Sequence, residues 1–323
     1  MNILTPRESY KPFEYPLAFE YMTNQQKAHW LPTEVPMADD VYDYHKKLTP
    51  AERNLITQIL RFFTTGDEAV MNNYNSSLIK HFPKPEIAMM LSSFANMEVV
   101  HVWSYSQLND TLGLPDEEYT AFKKYEAMRN KFDFMHLNSL VDGSRVDIKA
   151  TPRAIAKNLA VFGGFVEGVS LFSSFAILMN FPRRGLMKGV GQIVSFSVRD
   201  EDCHSEGVSY LFRELVKEFK ILTPEFKKEI YEACEDVVRL EDNFIDTCFE
   251  MGAVEGLTPE QLKQYIRYMA DYRLKNLGLK AIFKVKENPL DWMDLMLSGK
   301  EHANFFETRA TDYSKGAIEW GDL

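Results

Sequence analysis

The stretch NLAVFGGFVEGVSLFSSFAILMNF, residues 158–181, contains twenty-four residues and a single charged side chain, Glu167. Its length and composition meet the criterion for a membrane-spanning helix. No second stretch of this kind occurs in the sequence, large polar regions flank it, and a carboxylate is costly at the centre of a bilayer. The stretch therefore predicts a helix in the core of a large helical protein, with no membrane association.

The charge balance and the cysteines narrow the class of protein. The chain has 323 residues, with 37 Lys and Arg against 47 Asp and Glu. The resulting net charge of -10 argues against nucleic-acid binding as the main activity. Three cysteines, Cys203, Cys234 and Cys248, have no CxxC spacing and cannot all pair with one another, so a cytoplasmic location is expected.

Helix start signals recur along the chain. Four Thr-Pro pairs, at 49–50, 151–152, 223–224 and 258–259, each place a capping hydroxyl before a proline at the first helical position. No stretch has the alternating β-branched pattern of a strand. The sequence therefore predicts an all-α protein, with long helices at about 49–81, 86–112, 151–180, 185–217, 224–251 and 259–277.

The two ends of the chain differ from this helical body. The segment up to about Val41 is rich in proline and aromatic residues and is predicted to wrap around the helices. The final residues, FFETRATDYSKGAIEWGDL, have the composition of a loose terminus. We therefore expect a helical domain over residues 1–300, including the wrapping segment, and a flexible tail over residues 301–323.

One pattern of acidic residues and histidines occurs twice. A single acid is followed 31 or 34 residues later by a Glu-x-x-His motif. The two copies are Asp67 with Glu98 and His101, and Glu167 with Glu201 and His204. Residues three apart share one face of a helix, so each motif presents a carboxylate and an imidazole to the same partner. Four carboxylates and two histidines from four helices form the di-metal site of ferritin-like bundles. The chain is therefore predicted to be a ferritin-like helical bundle with a di-metal carboxylate site in its core.

Each part of this pattern has an ordinary explanation when taken alone. A single Glu-x-x-His is commonly a surface pair on a helix, Asp67 is compatible with a solvated position, and Glu167 with a basic partner from another helix. The matched spacings together favour the six-ligand site. Carboxylate-rich ligands with one imidazole per ion suit iron or manganese, so a dinuclear Fe/Fe, Mn/Mn or Mn/Fe centre is expected. Cys203 is interpreted as a small core residue.

Tyr105 lies four residues after His101 and seven after Glu98. It therefore shares their helical face and is expected one turn beyond the metals. A buried tyrosine beside a metal pair is an oxidisable group, and an aromatic packing residue is the alternative interpretation.

These residues and their order resemble the radical-generating small subunit of class I ribonucleotide reductase. The resemblance covers nearly the whole chain, through the motifs HWLPTEV, FFTTGDEAV, MEVVHVWSY, FVEGVSLFSSFA, VRDEDCH and NFFETRATDYSKG. In that family a metal pair activated by oxygen or a reduced form of it oxidises a tyrosine. The oxidising equivalent then passes to a cysteine of a separate catalytic subunit, which reduces ribonucleotides to deoxyribonucleotides.

The resemblance assigns roles to individual residues. The metal ligands it implies are Asp67, Glu98, His101, Glu167, Glu201 and His204. Tyr105 matches the radical tyrosine, Trp30 and Asp200 match the electron-transfer route outward from His101, and Tyr313 matches the tyrosine that carries the radical across the subunit interface. An acidic residue beside a metal-bound histidine also fixes its tautomer; the alternative for Asp200 is an ordinary surface acid, and for the tail a disordered terminus.

The resemblance also implies partners and leaves some points open. It implies a homodimer, docking of the C-terminal tail into the large catalytic subunit, and activation by a flavoprotein in some systems. Leu171 and Ser197 stand where family members often carry larger or more apolar residues, and Ser197 would make the pocket of Tyr105 more polar. Some relatives store the oxidising equivalent on the metal pair instead of the tyrosine, and that alternative stays open here.

Two rival functions use the same ligands. A ferritin-like oxidase or fatty-acyl desaturase would attack a C–H bond, but such enzymes usually begin with Glu where this chain has Asp67. An iron-storage protein would need neither Trp30 nor a tyrosine-bearing tail. These features favour the small subunit of ribonucleotide reductase over both rivals.

Overall fold

A computed structural model describes residues 2–142, 145–146 and 150–296. Within them, one short hairpin of β1 (Val141–Asp142) and β2 (Arg145–Val146) accompanies a set of α-helices. The helices are α1 (Pro16–Lys27), α2 (Ala38–Tyr42), α3 (Pro50–Asn73), α4 (Ile79–His81), α5 (Pro85–Leu112), α6 (Glu118–Ala121), α7 (Glu126–Asn138), α8 (Pro152–Leu159), α9 (Phe172–Arg183), α10 (Lys188–Phe219), α11 (Pro224–Cys248) and α12 (Pro259–Asn276). The prediction of an all-α bundle is confirmed.

The four Thr-Pro signals begin helices where the sequence predicts them. In each case the threonine hydroxyl accepts a hydrogen bond from the backbone N–H three residues later, at 3.2–3.3 Å. Thr49 with Glu52 and Thr258 with Gln261 form complete capping boxes. These caps satisfy backbone donors that the first turn of a helix leaves free.

Helices α1 and α7 have no such start signal and were not predicted individually. No capping side chain bonds to the first turn of α1 or α7. Helix α1 lies against α5 and α10, so tertiary packing stabilises it within the N-terminal segment. A short α2 follows, and its Asp40 accepts hydrogen bonds from the backbone N–H groups of Gly189 (3.0 Å) and Val190 (2.8 Å) at the start of α10. The described part of the N-terminal segment is therefore attached to the bundle.

The apolar stretch with Glu167 is the central helix of the bundle. Residues 152–183 are long and apolar enough to cross a membrane, but their most apolar window is entirely buried in protein, which is consistent with a soluble protein. The predicted single helix is interrupted: α8 gives way to a π-helical segment, Ala160–Ser170, before α9 begins. Such segments carry an extra residue per turn and are frequent at functional sites. A methyl group added at Gly163 would lie 2.4 Å from Val208 of α10, so glycine permits this close approach.

Two buried cations bind backbone carbonyls of this π-helical segment. The Lys131 ammonium donates to the Ser170 carbonyl at 2.9 Å and forms an ion pair with Glu241. The Arg273 guanidinium donates to the Gly168 carbonyl at 3.1 Å. Both side chains are almost completely buried, and each supplies a donor to a carbonyl in an irregular part of the helix.

The described residues up to Pro289 form one compact unit, and a second unit begins at Leu290. Residues 291–296 of the second unit are helical. The predicted tail, residues 301–323 with Tyr313, lies outside the described residues.

Replacing Lys131 with Met would leave the Glu241 carboxylate buried without its cation. We expect the free energy of unfolding of the metal-free protein to fall by about 3–5 kcal/mol, as measured by urea denaturation. Lys228→Met is the control, because the Lys228–Glu232 pair is solvent-exposed and an exposed pair contributes less than about 1 kcal/mol. Equal effects of the two substitutions would contradict the role given to the buried pair.

Candidate metal centre

The six residues predicted to bind metal come from four segments of the bundle. Asp67 lies on α3, Glu98 and His101 on α5, Glu167 in the π-helical segment, and Glu201 and His204 on α10. Every one of these side chains is at most 1% exposed. The sequence argument placed each Glu-x-x-His pair on one helical face, and both pairs face the interior.

The imidazoles and carboxylates converge on one place. Nδ1 of His101 lies 3.5 Å from Glu98 Oε2 and 3.2 Å from Glu201 Oε1. Nδ1 of His204 lies 2.9 Å from Glu98 Oε1 and 3.5 Å from Glu167 Oε2. Potential ligand atoms of Glu98, Glu167, Glu201 and His204 all lie within 4.8 Å of one another.

Asp67 and His101 are outside that tightest group of four but belong to the same electrostatic cluster. Burial, followed by the charge of Glu98, raises the pKa of Asp67 well above its usual range. His101 contacts both Glu98 and Glu201 directly. The structure therefore brings all six side chains into one region, where Asp67 interacts electrostatically with Glu98, His101, Glu201 and Glu167.

The donor set fits a pair of metal ions. Several buried ligand atoms have no hydrogen-bond partner: both Glu98 oxygens, Glu167 Oε1, Glu201 Oε2, Asp67 Oδ2, and Nδ1 of His101 and of His204. A buried polar atom without a partner is expensive, so these atoms require a ligand of another kind. Carboxylate oxygens and one imidazole per ion are suited to iron or manganese. A dinuclear centre accounts for the whole set, and the identity of the metal stays open.

The electrostatics of the cluster show the same need for positive charge. Burial and the neighbouring Glu98 raise the pKa of Glu201 to about 8. Burial alone would lower the pKa of His204, but the adjacent carboxylates of Glu167 and Glu98 raise it to about 10. Without metal ions, carboxyl and imidazole groups of the cluster therefore keep protons. Bound divalent cations would neutralise the carboxylates in place of those protons.

Asp200 connects His101 to Trp30. Its Oδ2 lies 3.3 Å from His101 Nε2 and accepts a hydrogen bond from the Trp30 indole N–H at 2.7 Å. Its Oδ1 accepts from the Gln25 amide at 3.0 Å. Asp200 and Trp30 are 1% and 3% exposed, so Asp200 is not the surface acid of the alternative interpretation. With Nε2–H directed at Asp200, Nδ1 of His101 is left to bind a metal.

Tyr105 is buried one turn from His101, in an aromatic pocket. Its ring lies 4.5 Å from Phe63 between centroids, and Phe63 lies 5.6 Å from Phe175. Its hydroxyl donates to Ser197 Oγ at 3.0 Å. Burial raises the pKa of Tyr105. The polar contact expected from Ser197 is therefore a direct hydrogen bond.

Sequence reasoning missed two residues of this region. Tyr74 donates its hydroxyl to Glu167 Oε2 at 2.8 Å, and Gln25 binds Asp200 from α1. A signal for Tyr74 exists, because it follows Asp67 by seven residues and so shares its helical face. No local pattern marks Gln25, whose role depends on how α1 lies against the bundle.

Comparison with known proteins identifies the family. Residues 7–289 match the family model described as the small chain of ribonucleotide reductase. The chain belongs to this family. It is 40% identical to a probable ribonucleoside-diphosphate reductase small subunit of Invertebrate iridescent virus 3, over 98% of this chain and 87% of that protein. It is 31% identical to the ribonucleoside-diphosphate reductase subunit beta of Chlamydia pneumoniae, over 96% of this chain and 91% of that protein.

A solved structure gives the same result for the fold. The ribonucleotide reductase R2 subunit from Clostridium botulinum superposes with a TM-score of 0.80 at 22% identity, covering 92% of this chain and 94% of that chain. The ferritin-like fold is confirmed. As a ribonucleotide reductase small chain, the protein generates the oxidising equivalent for ribonucleotide reduction and works with the large catalytic subunit.

Glu167→Ala removes a carboxylate whose Oε1 has no other partner. We expect the metal-free variant to bind one Mn²⁺ ion per chain, whereas the unmodified chain binds two, as counted by the electron paramagnetic resonance signal of free Mn²⁺. Glu68→Ala changes an exposed acid next to Asp67 and serves as the control, with two ions expected. Two ions bound by Glu167→Ala would show that Glu167 is not a ligand.

Proposed function

We propose that the six clustered residues bind two metal ions and that Tyr105 stores the oxidising equivalent that this small chain generates. When bound, the ions supply the oxidising power through their reaction with oxygen or superoxide. The ligands proposed are Asp67, Glu98, His101, Glu167, Glu201 and His204. The observation that carries the proposal is the hydrogen-bonded connection from His101 through Asp200 to Trp30.

This connection favours export of an oxidising equivalent over direct attack on a bound substrate. The ligand side chains are at most 1% exposed, so a substrate C–H bond has no direct contact with them from solvent. An electron, in contrast, can pass through Trp30, whose indole ring lies 6.1 Å from the His101 ring between centroids. An oxidase or desaturase acting on a C–H bond is therefore the weaker candidate.

Tyr105 is proposed as the radical site because its surroundings suit a long-lived radical. The side chain is 1% exposed, and its ring packs against Phe63, which in turn packs against Phe175. Ser197 accepts the phenolic hydrogen bond. Storage on the metal pair is the alternative, and it would leave Tyr105 as a packing residue.

The proposed route out of the protein continues through the C-terminal tail. Trp30 and Asp200 would conduct the oxidising equivalent from His101, and Tyr313 would carry it to the large subunit. The acidic and apolar end, AIEWGDL, is proposed to dock into that subunit. Tyr313 and this end lie outside the described residues, so the support here is the sequence resemblance.

We further propose that the protein is a homodimer that pairs through α5. Val99 and Trp103, one turn apart on this helix, are 48% and 44% exposed. Large apolar side chains exposed on one helix face commonly mark a protein interface. A cytoplasmic location and an activating flavoprotein complete the proposal; the first is supported by the free cysteines.

Tyr105→Phe is expected to remove the tyrosyl signal from the electron paramagnetic resonance spectrum while the protein still binds two metal ions. The substitution removes only the hydroxyl, which donates to Ser197 and to no ligand. Tyr119→Phe is the control, because the Tyr119 hydroxyl bonds Ser106 instead. Full turnover of Tyr105→Phe with the large subunit would move storage to the metals.

Deletion of residues 301–323 is expected to abolish ribonucleotide reduction with the large subunit and to leave metal content and radical yield unchanged. The reason is that docking is assigned to the tail and radical formation to the buried cluster. Assay of both properties on one preparation separates the two functions. Unchanged turnover by the truncated chain would refute radical delivery through the tail.

A further inference from the structure

Tyr74 is a second buried tyrosine at the metal centre. It lies at the point where α3 ends and a short π-helical segment, Tyr74–Leu78, begins. Its side chain is completely buried, and its hydroxyl donates to Glu167 Oε2 at 2.8 Å. Tyr74 therefore contacts a proposed metal ligand directly.

The two tyrosines near the cluster make different contacts. Tyr105 donates to the hydroxyl of Ser197, at 3.0 Å, and so does not orient any carboxylate. Tyr74 donates to an oxygen of Glu167. Hydrogen bonds to carboxylates are stronger than those between neutral groups, and this bond fixes one of the two oxygens that Glu167 offers.

The bond leaves the other oxygen of Glu167 for a metal. Oε2 accepts from Tyr74 and lies 3.5 Å from His204 Nδ1, whereas Oε1 has no partner. Glu167 is also the one proposed ligand that lies in a π-helical segment. Such segments are frequent at functional sites, and hydrogen bonds from neighbouring groups orient carboxylates that bind metal.

Tyr74 itself is held firmly. Its ring packs edge-on against Phe94 and His204, with centroid distances of 6.2 and 6.1 Å. The preceding residue, Asn73, exchanges two amide hydrogen bonds with Asn158 of α8, at 3.2 and 3.0 Å. Helix α3 is thereby fixed to the helix that leads into the Glu167 segment, and the position of the Tyr74 hydroxyl relative to Glu167 is set.

We propose that Tyr74 is a positioning residue of the metal centre: its hydroxyl holds Glu167 Oε2 so that Oε1 is presented to a metal ion. This inference rests on the proposed role of Glu167 as a ligand. It adds a residue outside the repeated acid and Glu-x-x-His pattern to the set that determines metal affinity.

Tyr74→Phe tests the proposal because it removes the hydroxyl and keeps the ring. Metal-free protein is titrated with Mn²⁺, and free Mn²⁺ is followed by its electron paramagnetic resonance signal. We expect one of the two ions to bind about 10- to 100-fold more weakly in the variant. Tyr105→Phe is the matched control, a buried tyrosine near the same cluster whose hydroxyl touches no ligand, and it should bind both ions as the unmodified chain does.

The outcomes separate this inference from the proposed function. If the unmodified chain binds two ions and Tyr74→Phe binds both with unchanged affinity, the positioning role is wrong and the ligand assignment stands. If the unmodified chain does not bind two ions, both are wrong. Equal weakening in Tyr74→Phe and Tyr105→Phe would also overturn the inference, because it would indicate a general effect of the missing hydroxyl.

A second measurement needs no variant and covers the case in which Tyr74→Phe fails to fold. A crystal structure of the unmodified protein grown with Mn²⁺ should retain the hydrogen bond from Tyr74 to one oxygen of Glu167, with the other oxygen on a metal ion. A Tyr74 hydroxyl directed away from Glu167 in that structure would refute the proposal.

Discussion

Four carboxyl groups and two imidazoles meet in a core from which water is excluded, and the rest of the bundle is organised around the positive charge that this requires. Isolated buried carboxylates are unstable because desolvation and mutual repulsion both oppose ionisation. The raised pKa values of Asp67 and Glu201 express that conflict in the absence of metal. Two divalent ions would resolve it, since they would bind the carboxylate and imidazole atoms that have no hydrogen-bond partner among the described residues. The cluster is thus both the candidate functional centre and a concentration of buried charge that the fold has to accommodate.

Buried charge also affects the helix that carries Glu167. That helix departs from α geometry over Ala160–Ser170, and its irregular carbonyls accept hydrogen bonds from Arg273 and Lys131. Each cation also has an acidic partner, Asp202 and Glu241 respectively. A buried cation without such a partner would cost more than a carbonyl bond returns. The segment that carries Glu167 is therefore stabilised by buried charged groups that are not among the proposed ligands.

Most of the fold and the clustering of the six proposed ligands were predictable because they depend on local patterns. Thr-Pro caps mark four helix starts, and i, i+3 spacing places Glu98 with His101 and Glu201 with His204. The π-helical segment was not predictable, because the sequence there reads as a continuous apolar helix and the register change depends on packing against α10. Gln25 was missed for a related reason: its contact with Asp200 bridges 175 residues of sequence, and no periodicity records such a contact. Asp200 itself, one position from Glu201, was assigned by resemblance, and the structure supplies the physical reason in its bonds to His101 and Trp30.

The repeated motif has two similar halves in sequence, but their surroundings in the structure differ. Nε2 of His101 faces Asp200, whose carboxylate continues to Trp30. Nε2 of His204 has no hydrogen-bond partner among the described residues, and its ring packs against Phe94 at 4.4 Å between centroids. Hydrogen bonds thus lead from His101 toward the N-terminal segment, whereas the His204 ring packs against an aromatic ring. In the proposed mechanism the oxidising equivalent leaves by the hydrogen-bonded His101 side, so this asymmetry would give direction to a centre whose proposed ligand sequence is nearly symmetric.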